Sequence, residues 1–128
     1  RAAEIAGADL ADIGTLFIAA RESLAADDYR QMVVEAGVDD LVLTKAFTGA
    51  SAYYLRRSIE RAGLDPDNLS GKTSMNWGQS DTQLKAWKDI WSAGQSVAAV
   101  HRVESAGEII ARLRAGYLQS LNVPSFGP

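Results

Sequence analysis

The amino-acid sequence predicts an α/β fold that is mostly helical, with one or two short strands, and three observations carry that expectation. Gly7 to Ala19, Gly-Ala-Asp-Leu-Ala-Asp-Ile-Gly-Thr-Leu-Phe-Ile-Ala, reads as a helix end, a short buried strand, a glycine turn and a new helix. Apolar residues recur at helical spacing in segments that begin near Asp27, Ser51, Asp81 and Ser105. Asp39 to Thr44 is rich in strand formers.

In chain order, Gly7 can take the left-handed conformation that closes a helix, and Leu10 to Ile13 suits a strand covered on both faces. Leu16, Phe17 and Ile18 pack the turn that follows. Asp27 or Asp28 starts a helix with Tyr29, Met32, Val33 and Ala36 on one face, and Gly37 ends it. The strand at 39–44 leads into a loop, Lys45 to Ala50. Ser51 is then the expected N-cap of a helix that buries Ala52, Leu55, Ile59 and Ala62, carries Arg56 and Glu60 outside, and closes at Gly63.

Leu64 to Ser80 reads as a long connection marked by Pro66, Asn68, Gly71, Asn76 and Gly78. Asp81 caps a helix with Leu84, Trp87 and Trp91 at helical spacing, which stops at Ala93-Gly94-Gln95. Ser96 to Val100 is either extended or a further helical turn. Ser105 and Glu108 form a Ser-x-x-Glu capping box before a last helix bearing Ile109, Ile110, Leu113, Tyr117 and Leu121, with Glu108 and Arg112 as a surface pair. The tail from Asn122 to Pro128 has no reason to be regular.

Composition narrows the function classes. With 128 residues, 47% of them hydrophobic and 23% charged, the chain has room for one domain with a real core. A net charge of −3 and the absence of a basic run interleaved with aromatics argue against a nucleic-acid surface. No cysteine is present, which removes disulfides, thiol nucleophiles and thiolate metal sites and agrees with a cytoplasmic location. No apolar stretch approaches the roughly 20 residues a membrane span needs. Arg1 stands where an initiator Met is expected, and Arg-Ala-Ala-Glu-Ile-Ala-Gly reads as the last turns of a helix, so the sequence is expected to continue upstream.

The functional signal lies at Gly14 and Thr15, at the carboxyl end of the expected strand. An α/β sheet or barrel keeps its ligand at that edge, where a glycine lets backbone amides approach a phosphate and the next helix N-terminus faces it. The alternative is a tight turn with a hydroxyl cap. His101, the only histidine, lies in a connector and reads as a surface or packing residue. No metal cluster, catalytic triad or catalytic residue can be assembled from the remaining side chains, and Asp27-Asp28 and Asp39-Asp40 read as element starts.

Four segments, taken together, resemble the C-terminal part of the nitronate monooxygenases, the 2-nitropropane dioxygenase-like family of FMN-dependent TIM-barrel flavoproteins. They are Gly7 to Ala19, Phe-Thr-Gly at 47–49, Ala-Gly-Leu-Asp-Pro-Asp-Asn-Leu at 62–69, and Lys-Ala-Trp-Lys-Asp-Ile-Trp-Ser-Ala-Gly-Gln at 85–95. The first would also fit flavin-dependent enoyl reductases and inosine-phosphate dehydrogenases, while the last two are more selective. The resemblance implies a C-terminal fragment of a TIM (β/α)₈ barrel plus a helical extension. Residues 1–24 would hold the last barrel strand and phosphate-binding turn, and 25–128 a mainly helical extension of the same domain. It implies FMN as cofactor, with Gly14 and Thr15 at its phosphate and Gln95 near the flavin, although Gln95 could equally cap the last carbonyls of the tryptophan helix.

The implied reaction is oxidation of a nitronate or nitroalkane by O₂. A complete barrel needs on the order of 200 to 250 residues, so the fragment is expected to be inactive alone. Two departures from the family stand out. Leu16 occupies a position where the family commonly has arginine, and the family's upstream glycine pair and active-site histidine have no counterpart here. Two other readings are an NAD(P)H-dependent, enoyl reductase-like flavoenzyme and a stand-alone helical interaction module without catalysis.

Overall fold

A computed structural model describes residues 1–69 and 89–122 of the chain. Among them are five α-helices and a two-stranded antiparallel sheet, a mixed α/β arrangement that is not itself a barrel. The helices are α1 (Ala2–Ile5), α2 (Thr15–Ile18), α3 (Asp27–Glu35), α4 (Arg56–Arg61) and α5 (Ala106–Ser120). The strands are β1 (Leu41–Thr44) and β2 (Ala52–Leu55), and 3₁₀ turns cover Val38–Asp40 and Gln95–Ala99. No helix among the described residues is long and apolar enough to cross a membrane.

Several elements form for the local reasons expected. Gly7 and Gly63 close α1 and α4 at φ of 95° and 76°. At each, the residue after the glycine donates back six-to-one, Ala8 to the Ala3 carbonyl and Leu64 to that of Ile59. α3 opens with Asp27 and Asp28, whose charges suit a helix N-terminus, and buries Met32 and Val33 with Tyr29 and Ala36 at the edge of the core. At α5 the capping box is complete. Ser105 Oγ accepts from the Glu108 amide, and the Glu108 carboxylate accepts from that of Ser105. The segment 96–100 resolves as helical turn rather than strand.

Four expectations are corrected. Leu10 to Ile13 is irregular rather than a strand: it has no ladder partner among the described residues, and Leu10 is 92% exposed. A lone strand leaves its backbone groups to water. The helix expected from Ser51 starts only at Arg56, because Ala52 to Leu55 pairs with β1, Leu41 opposite Leu55 and Thr44 opposite Ala52. Adjacent tyrosines at 53 and 54 favour that pleated surface.

The third correction concerns the end of the tryptophan helix. Trp91 to Ala93 is extended and lies along β2, with the Leu55 amide donating to the Trp91 carbonyl at 2.8 Å and the Ala93 amide to that of Tyr53 at 3.3 Å. Asp81, Leu84 and Trp87 lie outside the described residues. The fourth is electrostatic. Glu108 pairs with Arg21, while Arg112 reaches back to Glu104 at 2.9 Å. Arg56 likewise turns from Glu60 to grip Asp67 with both guanidinium nitrogens.

Strand alternation divides the core into two clusters. Leu55 faces the larger one, with Leu16, Val33, Val97 and Ile109, and Tyr54 faces the smaller, with Phe47, Ile59 and Ile90. Phe47 meets Tyr54 edge-on, ring centroids 4.8 Å apart. α5 buries only Ile109 fully, with Leu113 packed partly behind it, so Ile110, Tyr117 and Leu121 of the expected apolar face remain exposed.

Candidate functional site

The three residues singled out from the sequence lie on two neighbouring elements. Thr15 opens α2, and its hydroxyl accepts a hydrogen bond from the Gly94 amide at 2.8 Å. Gly94 precedes Gln95, so two of the four segments behind the family resemblance, 7–19 and 85–95, meet at this bond.

Both sides of the contact are held from behind. α2 is seated by Leu16, Ala19 and Ala20, all buried against Val97 and Val100. Just after it, the Arg21 amide donates to the Glu104 carbonyl at 2.8 Å. Glu104 is itself buried, its carboxylate taken by Arg112 at 2.9 Å and Arg102 at 3.0 Å. Arg112, ahead of Arg102, holds that carboxyl below the usual glutamate range.

The 91–94 side is fixed by β2 and by three side chains. Ser58, fully buried on α4, accepts from the Trp91 amide at 2.9 Å and donates to the Leu55 carbonyl at 2.8 Å. Tyr29 stacks on one face of the Trp91 ring, centroids 4.8 Å apart, and donates its hydroxyl proton to the Ser92 carbonyl. The Arg61 guanidinium lies 3.6 Å from the Trp91 ring centroid.

Gly14 itself is exposed, with φ −84° and ψ −53°, and a Cβ placed there would meet nothing within 4 Å. Neither backbone angle nor crowding inside this chain demands glycine at 14. The first turn of α2 carries no side-chain cap; the Phe17 and Ile18 amides donate to the Gly14 carbonyl, and Thr15 and Leu16 are buried. One turn aligns few peptide dipoles, and the half-charge of a long helix does not develop here. Thr15 offers less than a free hydroxyl: accepting from Gly94 occupies one lone pair, though it does not consume the proton.

Gln95 is not a helix cap. It is exposed, and its Nε2 donates to the Tyr53 hydroxyl at 3.2 Å, which leaves Oε1 as the acceptor end of the amide. Leu16 is core at 4% exposure, and a guanidinium in its place would lose its hydration. His101 is exposed in the connector before α5. Among the described residues no group of three or more His, Cys, Asp or Glu side chains could hold a metal ion.

Sequence reasoning missed Tyr53, Ser58 and Glu104. For Ser58 a signal existed, since it falls between Leu55 and Ile59, two positions expected to be buried, where a polar residue calls for an internal partner. Comparison of the chain with protein-family models, with curated proteins and with solved structures finds no match.

Proposed function

We propose that the chain is the C-terminal part of an FMN-dependent oxidoreductase of the nitronate monooxygenase type, oxidising nitronates with O₂ in the cytoplasm. The observation that carries this reading is the Thr15–Gly94 hydrogen bond, which joins two separated segments of the resemblance and sets Gln95 beside the Gly14-Thr15 turn. The residues present suit the phosphate end of the cofactor. Gly14 leaves open space where a side chain would stand, and uncapped amides beside it suit an anion. On this reading the Gly14 and Thr15 amides and the Thr15 hydroxyl hold the phosphate, and Gln95, oriented by Tyr53, presents an acceptor to the ring system.

FMN when bound would supply the electron chemistry, and this chain's own residues would bind and orient it. The enoyl reductase-like alternative differs in its electron donor, and turnover of a nitronate against turnover with NAD(P)H separates the two. The interaction-module reading draws support from the exposed Ile110, Tyr117 and Leu121 of α5.

The test is flavin retention. This chain, and a form extended upstream along its own reading frame, are each mixed with FMN, freed of excess and examined by visible absorbance. The expected result is flavin kept by the extended form alone. If neither keeps flavin, the flavoenzyme reading is lost and the interaction module replaces it.

A further inference from the structure

The residues that follow α2 are zipped to the root of α5. Ala20 is bridged in parallel to Glu104, and the Arg21 amide donates to the Glu104 carbonyl at 2.8 Å. The Arg21 guanidinium pairs with Glu108, and the Glu22 carboxylate accepts from the Ala106 amide at 2.9 Å. The Glu104 carboxylate accepts in turn from Arg112, two turns into α5, at 2.9 Å. One residue therefore holds the end of α2 with its backbone and α5 with its side chain.

The rest of α5 is lightly held among the described residues. It buries only Ile109 fully, with Leu113 packed partly behind, and both belong to the cluster that seats α2. At its far end the Tyr117 hydroxyl donates to Glu4 of α1, a single turn that buries no residue. A helix of 15 residues is marginal in water by itself, so α5 melts when it leaves this seat.

The charged ties are unequal. The Arg21 and Glu108 side chains are both more than half exposed, a setting in which an ion pair contributes little. The Glu104 side chain is 7% exposed, and losing a partner there costs more. Arg102, its other partner, belongs to the connector and stays behind when α5 departs. The contact between Glu104 and Arg112 is thus the one that decides whether α5 is closed.

We propose that α5 is a latch on α2. It opens as a unit, ahead of the β1–β2 core, by breaking the Glu104–Arg112 contact, and its opening frees the Arg21 amide and loosens the helix that carries Thr15. This coupling is independent of flavin binding. The test is native-state hydrogen exchange of the full chain at neutral pH, with single amides resolved by NMR. In the wild type the α5 amides and the Arg21 amide should be less protected than that of Leu55, which donates to the Trp91 carbonyl in the core. Arg112→Met, which keeps an aliphatic stem and removes the guanidinium, should speed exchange of α5 and Arg21 about tenfold, as suits one partly exposed charged hydrogen bond, and leave Leu55 unchanged. Arg21→Met, which removes the exposed tie, should speed the α5 amides about threefold or less. Glu104→Gln, which retains an acceptor, should fall between the two.

Equal acceleration of Leu55 would mean general destabilisation, and acceleration of α5 with the Arg21 amide unmoved would mean that α2 is not coupled to it. Either overturns the proposal, as would an effect of Arg21→Met as large as that of Arg112→Met, or no effect of Arg112→Met. Should Arg112→Met fail to fold, the wild type and Glu104→Gln supply the same comparison, and equal protection of α5 and Leu55 in the wild type overturns the latch by itself.

Discussion

The Thr15 hydroxyl and the Gly94 amide, 79 residues apart in the chain, are joined by a half-buried hydrogen bond of 2.8 Å. Thr15 is only 7% exposed, and a Cβ on Gly94 would stand 3.3 Å from its Oγ1. The two residues are therefore fitted to each other: glycine admits the hydroxyl, and the hydroxyl satisfies an amide that no helix or strand serves.

Thr15→Val keeps the shape of the side chain and removes the acceptor. Leaving a buried amide unpaired costs about 1–3 kcal/mol. The variant should lose that much stability in urea denaturation, and Thr15→Ser should lose less because it retains the oxygen. A Thr15→Val variant as stable as the wild type, with Thr15→Ser the weaker of the two, would show that the methyl group, not the hydrogen bond, sets the contribution of Thr15.

Gly14→Ala should behave in the opposite way. Its backbone angles suit any residue and its Cβ would meet nothing, so the midpoint of unfolding should shift by no more than about 0.5 kcal/mol. In the upstream-extended protein the same change should weaken FMN retention, read by absorbance after gel filtration. A stable variant with undiminished flavin would remove Gly14 from the phosphate site.

Ser58→Ala should destabilise the chain by about 1–3 kcal/mol, because it takes away the acceptor of the Trp91 amide and the donor to the Leu55 carbonyl in a fully buried position. Trp91 sits between Tyr29 and Arg61, so tryptophan emission should shift in the folded variant as that stack loosens. An unchanged unfolding midpoint would mean that these bonds have equivalents in the unfolded chain.

Stability should fall in acid in part through Glu104. Arg112, and then Arg102, holds its folded pKa below the unfolded value. The sign follows: the unfolded chain binds a proton more readily, so the stabilisation is complete above the ordinary glutamate value of 4.5 and is lost as pH falls through the lower folded pKa. Denaturation midpoints measured from pH 7 to 3 should show a shallower decline for Glu104→Gln than for the wild type. Parallel curves would assign the acid sensitivity to the other lowered carboxyls, Glu4, Glu35, Asp67 and Glu108.

What the sequence determined by itself was chemistry between near neighbours. Gly7 and Gly63 end their helices because only glycine enters the left-handed region cheaply, and Ser105 caps α5 because Glu108 is three residues away. The buried face of α3 was legible in the same way, as was the strand expected at Asp39 to Thr44, of which Leu41 to Thr44 forms while Asp39 and Asp40 lie in a 3₁₀ turn. Gly14, Thr15 and Gln95 could be named from turn chemistry and resemblance, but not their partners.

Tertiary structure decided the rest, for one physical reason: a backbone amide or a charge takes the partner that packing brings to it. Ala52 to Leu55 fits a helical stripe as well as a strand, and β1 alongside settles it as a strand. Trp91 to Ala93 is extended rather than helical because it pairs with β2, and Arg112 prefers the buried Glu104 to the solvated Glu108 one turn away. Leu10 to Ile13 shows the converse. Its composition suits a strand, yet without a neighbouring strand among the described residues it has no ladder to join.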